Sequence, residues 1–289
     1  MAAQMNYRHA YHAGNFADVM KHAVLCRVLM HLRDKPAAFR VIDTHAGAGV
    51  YDLGGVEAGK TLEWRDGIGR LVEAKLDEPV RVLLAPYLDA VAAFNPAGPI
   101  TTYPGSPALT QSLMRPQDRL IACELEPQAA AALSGRLRGD ARSKAIAIDG
   151  WTALTAYVPP KERRGLVLVD PPFEKPDELS RLAQGLAGAH RKWPTGCYLL
   201  WYPIKDAAEV TAFVRKLARL GIAKMLRLEL IPATSSTDTG LRGSGLIVVN
   251  PPWRLADELA VLLPALGQVL SRGAACRTTL DWLTDESSL

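Results

Sequence analysis

Apolar runs rich in β-branched residues recur along the chain, and each ends in a polar or glycine-bearing turn. They read FRVIDTHAGAG at 39–49, RLIACELEP at 119–127, KAIAIDG at 144–150, LVLVDPPF at 166–173, CYLLWYPI at 197–204, KMLRLELIP at 224–232 and LIVVNPPW at 246–253. Runs without strict apolar–polar alternation predict strands of a sheet buried on both faces. Helical spacing fills the gaps. Asn15 and Asp18 suit an N-cap followed by a capping-box acid, and behind them Val19, Met20, Ala23, Val24, Val28 and Leu32 recur at helical intervals. The stretches 128–137 and 177–190 read as helices too. Strands alternating with helices predict an α/β architecture, a mostly parallel, doubly wound sheet with right-handed crossovers.

One interval breaks the rhythm. About 70 residues separate Gly49 from the strand at Arg119, where a βαβ unit needs roughly 30. Helical periodicity at 62–74 and 79–94 predicts a small helical subdomain, 54–100, inserted into a single domain spanning 1–289. It is expected on the C-terminal edge of the sheet.

Bulk composition adds few constraints. The 289 residues are 48% hydrophobic and 22% charged, ordinary for a globular protein. A net charge of +4 permits an anionic partner without demanding one. The four cysteines form no CxxC pair, so a zinc site or disulfide framework is not expected. No apolar signal core and no run of membrane-spanning length occur, so a cytoplasmic chain is expected, without membrane association.

The chemistry concentrates at strand ends. After the first strand comes Asp43-Thr44-His45-Ala46-Gly47-Ala48-Gly49. Its glycines let the backbone approach a ligand, as in dinucleotide-binding turns. The third glycine position of that fingerprint is taken by Asp52, and Asp43 precedes the turn. An acid there suits a ligand bearing a cationic amino group better than a pyrophosphate. S-adenosylmethionine (SAM) has such a group and no phosphate. The second strand ends at Glu124, which can accept from ribose hydroxyls. The third ends at Asp149-Gly150, placed for an adenine amine. The order of these features at successive strand ends is more specific than any one of them.

Two runs end in Pro-Pro and an aromatic ring. Ligands of an open α/β sheet bind outside the carboxyl ends of its strands. The run ending in Asp170 is the fourth long strand, expected beside the first, so Asp170 should emerge next to the cofactor. The run ending in Asn250 is the last long strand. An antiparallel direction would send Asn250 to the opposite rim, with Pro251-Pro252 a rigid stop and Trp253 packed. Chemistry is therefore assigned to Asp170-Pro171-Pro172-Phe173. A purine exocyclic amine is a weak nucleophile, its lone pair delocalised into the ring. Asp170 and the Pro171 carbonyl could accept its two hydrogens, and Phe173 could stack on a flipped base.

These residues resemble a known family. D/N-P-P-F/Y/W after a fourth strand is motif IV of amino-methyltransferases, and D-x-x-x-G-x-G is their motif I. The segments YRHAYHAGNFADVMKH, DTHAGAGVYDLG, YPGSP, RRGLVLVDPPF, LWYPI and SGLIVVNPPW are similar to bacterial 23S ribosomal RNA (adenine-N6)-methyltransferases of the J type. The resemblance runs from about residue 6 to 284. It implies a Rossmann-like class I SAM-dependent fold with an antiparallel last strand, and methylation of a specific 23S adenine by a metal-free enzyme, expected as a monomer. It places Lys21, His22, His45, Ser106, Glu124, Asp149 and Gly150, with Asp43 and Gly47 of motif I, at the cofactor. Asp170 becomes the catalytic acid, and Tyr7 lies near the substrate. Phe173 stands where tyrosine is common, which keeps the ring and loses a hydroxyl. Arg242 in the polar loop 234–245 is a further candidate for RNA contact.

Other readings stay open at this point. A guanine-N2 ribosomal RNA methyltransferase uses a similar motif. A catalytically silent scaffold binding RNA or SAM is the non-enzymatic alternative, against which the intact Asp170 and glycine turn speak. His9, His12 and His22 could be read as metal ligands, but no carboxylate or cysteine accompanies them at ligand spacing.

Overall fold

The computed structural model describes residues 8–232, 240–272 and 276–285. An eight-stranded sheet runs through the molecule. Its strands are β1 (Arg40–Asp43), β4 (Arg119–Glu124), β5 (Ser143–Ala147), β6 (Gly165–Val169), β7 (Cys197–Ile204), β8 (Met225–Ile231), β9 (Gly243–Val249) and β10 (Arg277–Thr284). Their spatial order is β10-β8-β9-β7-β6-β1-β4-β5. The strands from β5 to β7 pair in parallel, whereas β9 is antiparallel to both β7 and β8. A short second sheet pairs β2 (Val50–Asp52) with β3 (Thr102–Pro104).

Both faces of the large sheet are covered. Along β6, Leu166 and Leu168 join one apolar cluster and Val167 and Val169 the other. This two-residue alternation inside a fully apolar strand shows why burial on both faces erases the polar half of the pattern. One face carries α1 (Phe16–Arg33), α5 (Ser106–Leu113) and α10 (Leu255–Leu270). The other carries α7 (Gly150–Ala156), α8 (Glu178–Lys192) and α9 (Ala207–Ala218). Between β4 and β5 runs α6 (Pro127–Leu137). α1 is buried on nearly all sides, because α4 (Glu78–Ala93), α5 and α10 surround it.

The interval between β2 and β3 holds α2 (Val56–Thr61), a π-helical turn (Arg65–Gly69), α3 (Arg70–Glu73) and α4. It grips the start of α1. Ile68 N–H donates to the Gly14 carbonyl at 2.8 Å, and a Cβ on Gly67 would lie 2.0 Å from that same oxygen. No other residue fits at 67 without moving the α1 N-terminus.

Three details differ from the sequence reading. β9 is not the last strand: β10 follows it and pairs antiparallel with β8 at the sheet edge. Trp253 does not pack, being 85% exposed with the Arg254 guanidinium 5.7 Å from its ring centroid. The chain turns so sharply at Asn250 (φ +51°) and the two prolines that the ring is carried off the sheet. Asp18 also departs from a strict capping box. Asn15 caps α1 through Ala17 N–H and Asp18 N–H, but the Asp18 carboxylate accepts from Gly14 N–H rather than from Asn15.

Candidate active site

β1 lies between β6 and β4, with Asp43 level with Leu168 on one side and Ala122 on the other. The loops after β1, β4, β5 and β6 therefore open on one rim, where a cavity of about 320 Å³ lies. That is within the range of small-molecule sites. Lys21, His22, His45, Gly47, Ser106, Glu124, Asp149, Gly150 and Asp170 all line it. Of the motif after β6, Pro172 lines the cavity. Pro171 is buried, and Phe173 sits half-buried in the apolar cluster with its ring edge-to-face on Trp201 at 5.5 Å. The Phe173 backbone is left-handed (φ +51°), a strained conformation for a residue with a side chain.

The glycine turn is held by two side chains. Gly47 N–H donates to Glu124 at 2.8 Å, and Ala48 N–H donates to the Tyr51 hydroxyl at 3.2 Å. Glu124 also accepts from Leu125 N–H and Glu126 N–H, each at 2.8 Å. A carboxylate has about four acceptor directions, so one is left toward the cavity rather than the pair a bidentate ribose contact would use. Gly47 has φ +60°, and a Cβ there would lie 2.1 Å from the Tyr51 hydroxyl. A Cβ on Gly150 would lie 2.4 Å from both His45 Nε2 and the Thr44 carbonyl. At both positions the backbone comes as close as glycine alone permits.

Asp43 lies beneath this floor, 0% exposed. It accepts from the Ser106 hydroxyl at 2.6 Å, while its Oδ1 has no hydrogen-bond partner. Burial pushes its carboxyl up to about 7, against the Ser106 hydrogen bond and with the Asp170 charge adding to the rise. Its visible role is to fix Ser106 in the cavity wall. Asp149 caps α7 through Thr152 N–H at 2.9 Å and faces the same space. Burial pulls His22 down to about 3 and His45 down to about 4, so both rings are neutral. His22 shares a hydrogen bond with Tyr103 at 2.7 Å, and His45 with Thr44 at 2.8 Å.

Lys21 is the electrostatic centre. Its ammonium bridges the carboxylates of Asp18, at 2.8 Å, and Asp170. Burial opposes its charge, but the two acids more than compensate and hold it far above the ordinary lysine range. Sequence spacing gives no sign that Lys21 and Asp170 meet. Also missed were Tyr51, Trp151 and Arg181, each of which lines the cavity. Tyr51 directly follows the glycine turn, the one signal that could have found it.

The remaining candidates stand elsewhere. Arg242 is exposed, its backbone N–H donating to the carbonyl of Ile204 at the end of β7. Tyr7 and the first half of the loop at 234–245, residues 234–239, lie outside the described residues. His9 pairs with Asp18 and His12 with Glu63. Among the described residues there is no cluster of metal-ligating side chains, and no helix is long and apolar enough to cross a membrane.

The second Pro-Pro lies at the other rim. β9 runs against β7, and the Asn250 amide donates to the carbonyls of Pro194, at 2.7 Å, and Gly196, at 2.8 Å, just before β7 begins.

The lining tests the cofactor. Glu57, Glu124, Glu126, Asp149 and Asp170 would repel a pyrophosphate and favour a ligand carrying sulfonium and ammonium charges. The close-approach glycines and the exposed apolar Leu125 suit a nucleoside. The residues fit SAM.

Comparison with known proteins agrees. Residues 36–284 match the family model described as "Ribosomal RNA large subunit methyltransferase D, RlmJ". The chain is 37% identical over 282 residues to "Ribosomal RNA large subunit methyltransferase J" of Escherichia coli, covering 98% of this chain and all of that one. It is 36% identical over 283 residues to the protein of the same name in Haemophilus influenzae, with the same coverage. Among solved structures, protein LPL1258 of Legionella pneumophila superposes with a TM-score of 0.85 at 32% identity, over 94% of this chain and 98% of that one. With its strand order, its glycine turn and its acid-lined cavity, the chain belongs to the RlmJ family of ribosomal RNA large subunit methyltransferases, class I enzymes that use SAM as methyl donor.

Proposed function

We propose that this enzyme methylates the exocyclic N6 amine of a specific adenine in 23S ribosomal RNA. The observation that carries this reading is Asp170, set on the cavity wall directly after β6 and followed by two prolines. Neither proline has an N–H to compete, so the Pro171 carbonyl and the Asp170 oxygen not taken by Lys21 would form an acceptor pair. An aromatic amine with two hydrogens to donate matches that pair. The relatives' names supply ribosomal RNA of the large subunit as the substrate class.

When bound, SAM supplies an electrophilic methyl group at a sulfonium. Glu124, Asp149, Gly47 and Ser106 would hold it. Lys21, bonded to the Asp170 carboxylate, fixes its position toward the amine. Drawing on both amine hydrogens turns the nitrogen lone pair out of the ring conjugation and toward the methyl. Asp170 then takes the surplus proton from the acidic methylated amine. Most of the rate comes from placement. Phe173 is braced by Trp201, and its strained backbone is consistent with a ring aimed by the fold.

The test is labelled methyl transfer from SAM to unmodified 23S ribosomal RNA, followed by nucleoside analysis. The expected product is N6-methyladenosine. N2-methylguanosine would assign the enzyme to the other purine amine, and no transfer at all would leave a binding scaffold.

A further inference from the structure

RNA is a polyanion, yet among the charged residues that line the cavity it must reach, seven acids outnumber four bases. Cations at the mouth therefore decide whether the backbone can approach. Four lysine or arginine side chains line the cavity: Arg8, Lys21, Lys175 and Arg181. Lys21 is spent on Asp18 and Asp170. Arg8 pairs with Glu57 and donates to Gln128 at 2.8 Å. Lys175 and Arg181 form no ion pair among the described residues. Both lie on the segment that runs from the Asp170 motif into α8, so they share one lip of the cavity.

Arg181 is also oriented. Its guanidinium lies 4.8 Å from the Trp151 ring centroid, and Trp151 meets His45 edge-to-face at 5.5 Å. This ring contact engages the cation without a hydrogen bond, so the guanidinium N–H fork, which matches a phosphate, stays available. The neighbouring acid does not compete at hydrogen-bond distance. Glu178 is 3% exposed and accepts from the Lys175 backbone N–H at 3.2 Å. SAM carries no phosphate, and its one anionic group, the methionine carboxylate, is at the end opposite the adenine that the resemblance assigns to Asp149, two residues from Trp151.

We propose that Arg181 and Lys175 form a phosphate-binding lip that grips the RNA backbone beside the target nucleotide. The proposal rests on the RNA reading above and names the contact that overcomes the acidic lining.

The experiment compares wild type with Arg181→Gln, Arg181→Lys and Lys175→Ala. Binding of a fluorescent single-stranded adenine-containing oligoribonucleotide is followed by anisotropy across a KCl series, SAM binding by calorimetry, and folding by thermal melts. Each neutral variant should weaken RNA binding about tenfold at low salt, as expected for loss of a charge-assisted contact. Each should also flatten the plot of log affinity against log salt by roughly 0.7 per single-strand phosphate lost. SAM affinity should stay within about twofold, and Arg181→Lys, which keeps the charge but loses the fork, should restore the salt slope and only part of the affinity. Unchanged RNA affinity and salt slope would overturn the proposal. So would loss of SAM affinity alone, which would make Arg181 a prop for Trp151. Lys175 is exposed, so Lys175→Ala keeps the test valid if the arginine variants fold poorly. If nucleoside analysis shows a different base, the reading of the target fails while the salt slopes still decide the lip, because phosphates flank every base.

Discussion

Replacing Lys21 with methionine keeps the aliphatic stem and removes the charge between two carboxylates. Lys21 is 4% exposed and Asp18 1%. Removing one partner of a buried ion pair costs roughly 3–5 kcal/mol, because the remaining charge stays desolvated. At roughly 2 °C per kcal/mol for a chain of this size, Tm should fall by about 6–10 °C near pH 7. The pH dependence follows from Asp18. Burial pushes its carboxyl up, but the charges of His9 and Lys21 outweigh that and hold it well below the ordinary range. A depressed folded-state pKa contributes stability above the unfolded pKa, lost as pH falls through the folded value. In Lys21→Met the Asp18 carboxyl rises, so this contribution shrinks or reverses. The Tm deficit should be greatest near neutrality and narrow toward about pH 4, as Asp18 takes a proton. Asp18→Asn in the same chain should recover part of the lost stability, since no buried charge is then orphaned. Thermal melts of the three chains across pH test this. A Tm within about 2 °C of wild type at pH 7, or a deficit that widens toward acid, would refute the reasoning.

Three further outcomes are expected. Gly47→Ala must hold φ +60° and meet the Tyr51 hydroxyl at 2.1 Å, so SAM affinity by calorimetry should fall at least about tenfold; unchanged affinity would remove the turn from the site. Gly150→Ala should do the same through the clash with His45 and the Thr44 carbonyl, again read as SAM affinity, with melts confirming the fold. Asp43 keeps its proton to about 7 when folded, against an ordinary value of 3.8, so the folded state binds more protons in that window. Ligand-free wild type should therefore lose stability relative to Asp43→Asn, by up to about 1.4 kcal/mol per pH unit, as pH rises from about 4 to 7; a constant difference across denaturant melts at several pH values would contradict this.

Much of the fold is legible because its determinants are local. Strands buried on both faces announce themselves as apolar runs, and the turns that end them carry the site: Gly47, Glu124, Asp149 and Asp170. What escaped has a physical pattern. β10 reads RTTLDWLT, an edge strand with polar and apolar residues mixed, which a search for continuous apolar runs passes over. β2 and β3 are three residues each, too short for periodicity. Trp253 is apolar and follows a buried strand, so packing was expected; the rigid Asn-Pro-Pro turn decides otherwise. Asp18 reads as a capping acid from its spacing, but its counter-ions His9 and Lys21 are set by tertiary structure. The pairing of Lys21 with Asp170, across 149 residues, leaves no sequence trace.

The central claim is that the Pro-Pro motif after β6 performs the methyl transfer while the similar motif after β9 terminates a strand. Asp170→Ala and Asn250→Ala should be compared for methyl transfer to 23S ribosomal RNA and for SAM binding. Asp170→Ala should abolish turnover with SAM affinity within a few-fold of wild type. Asn250→Ala should lose stability of about 1–3 kcal/mol, from its two carbonyl contacts at 194 and 196, and keep its turnover. Loss of turnover in a folded Asn250→Ala, with activity retained in Asp170→Ala, would contradict the account.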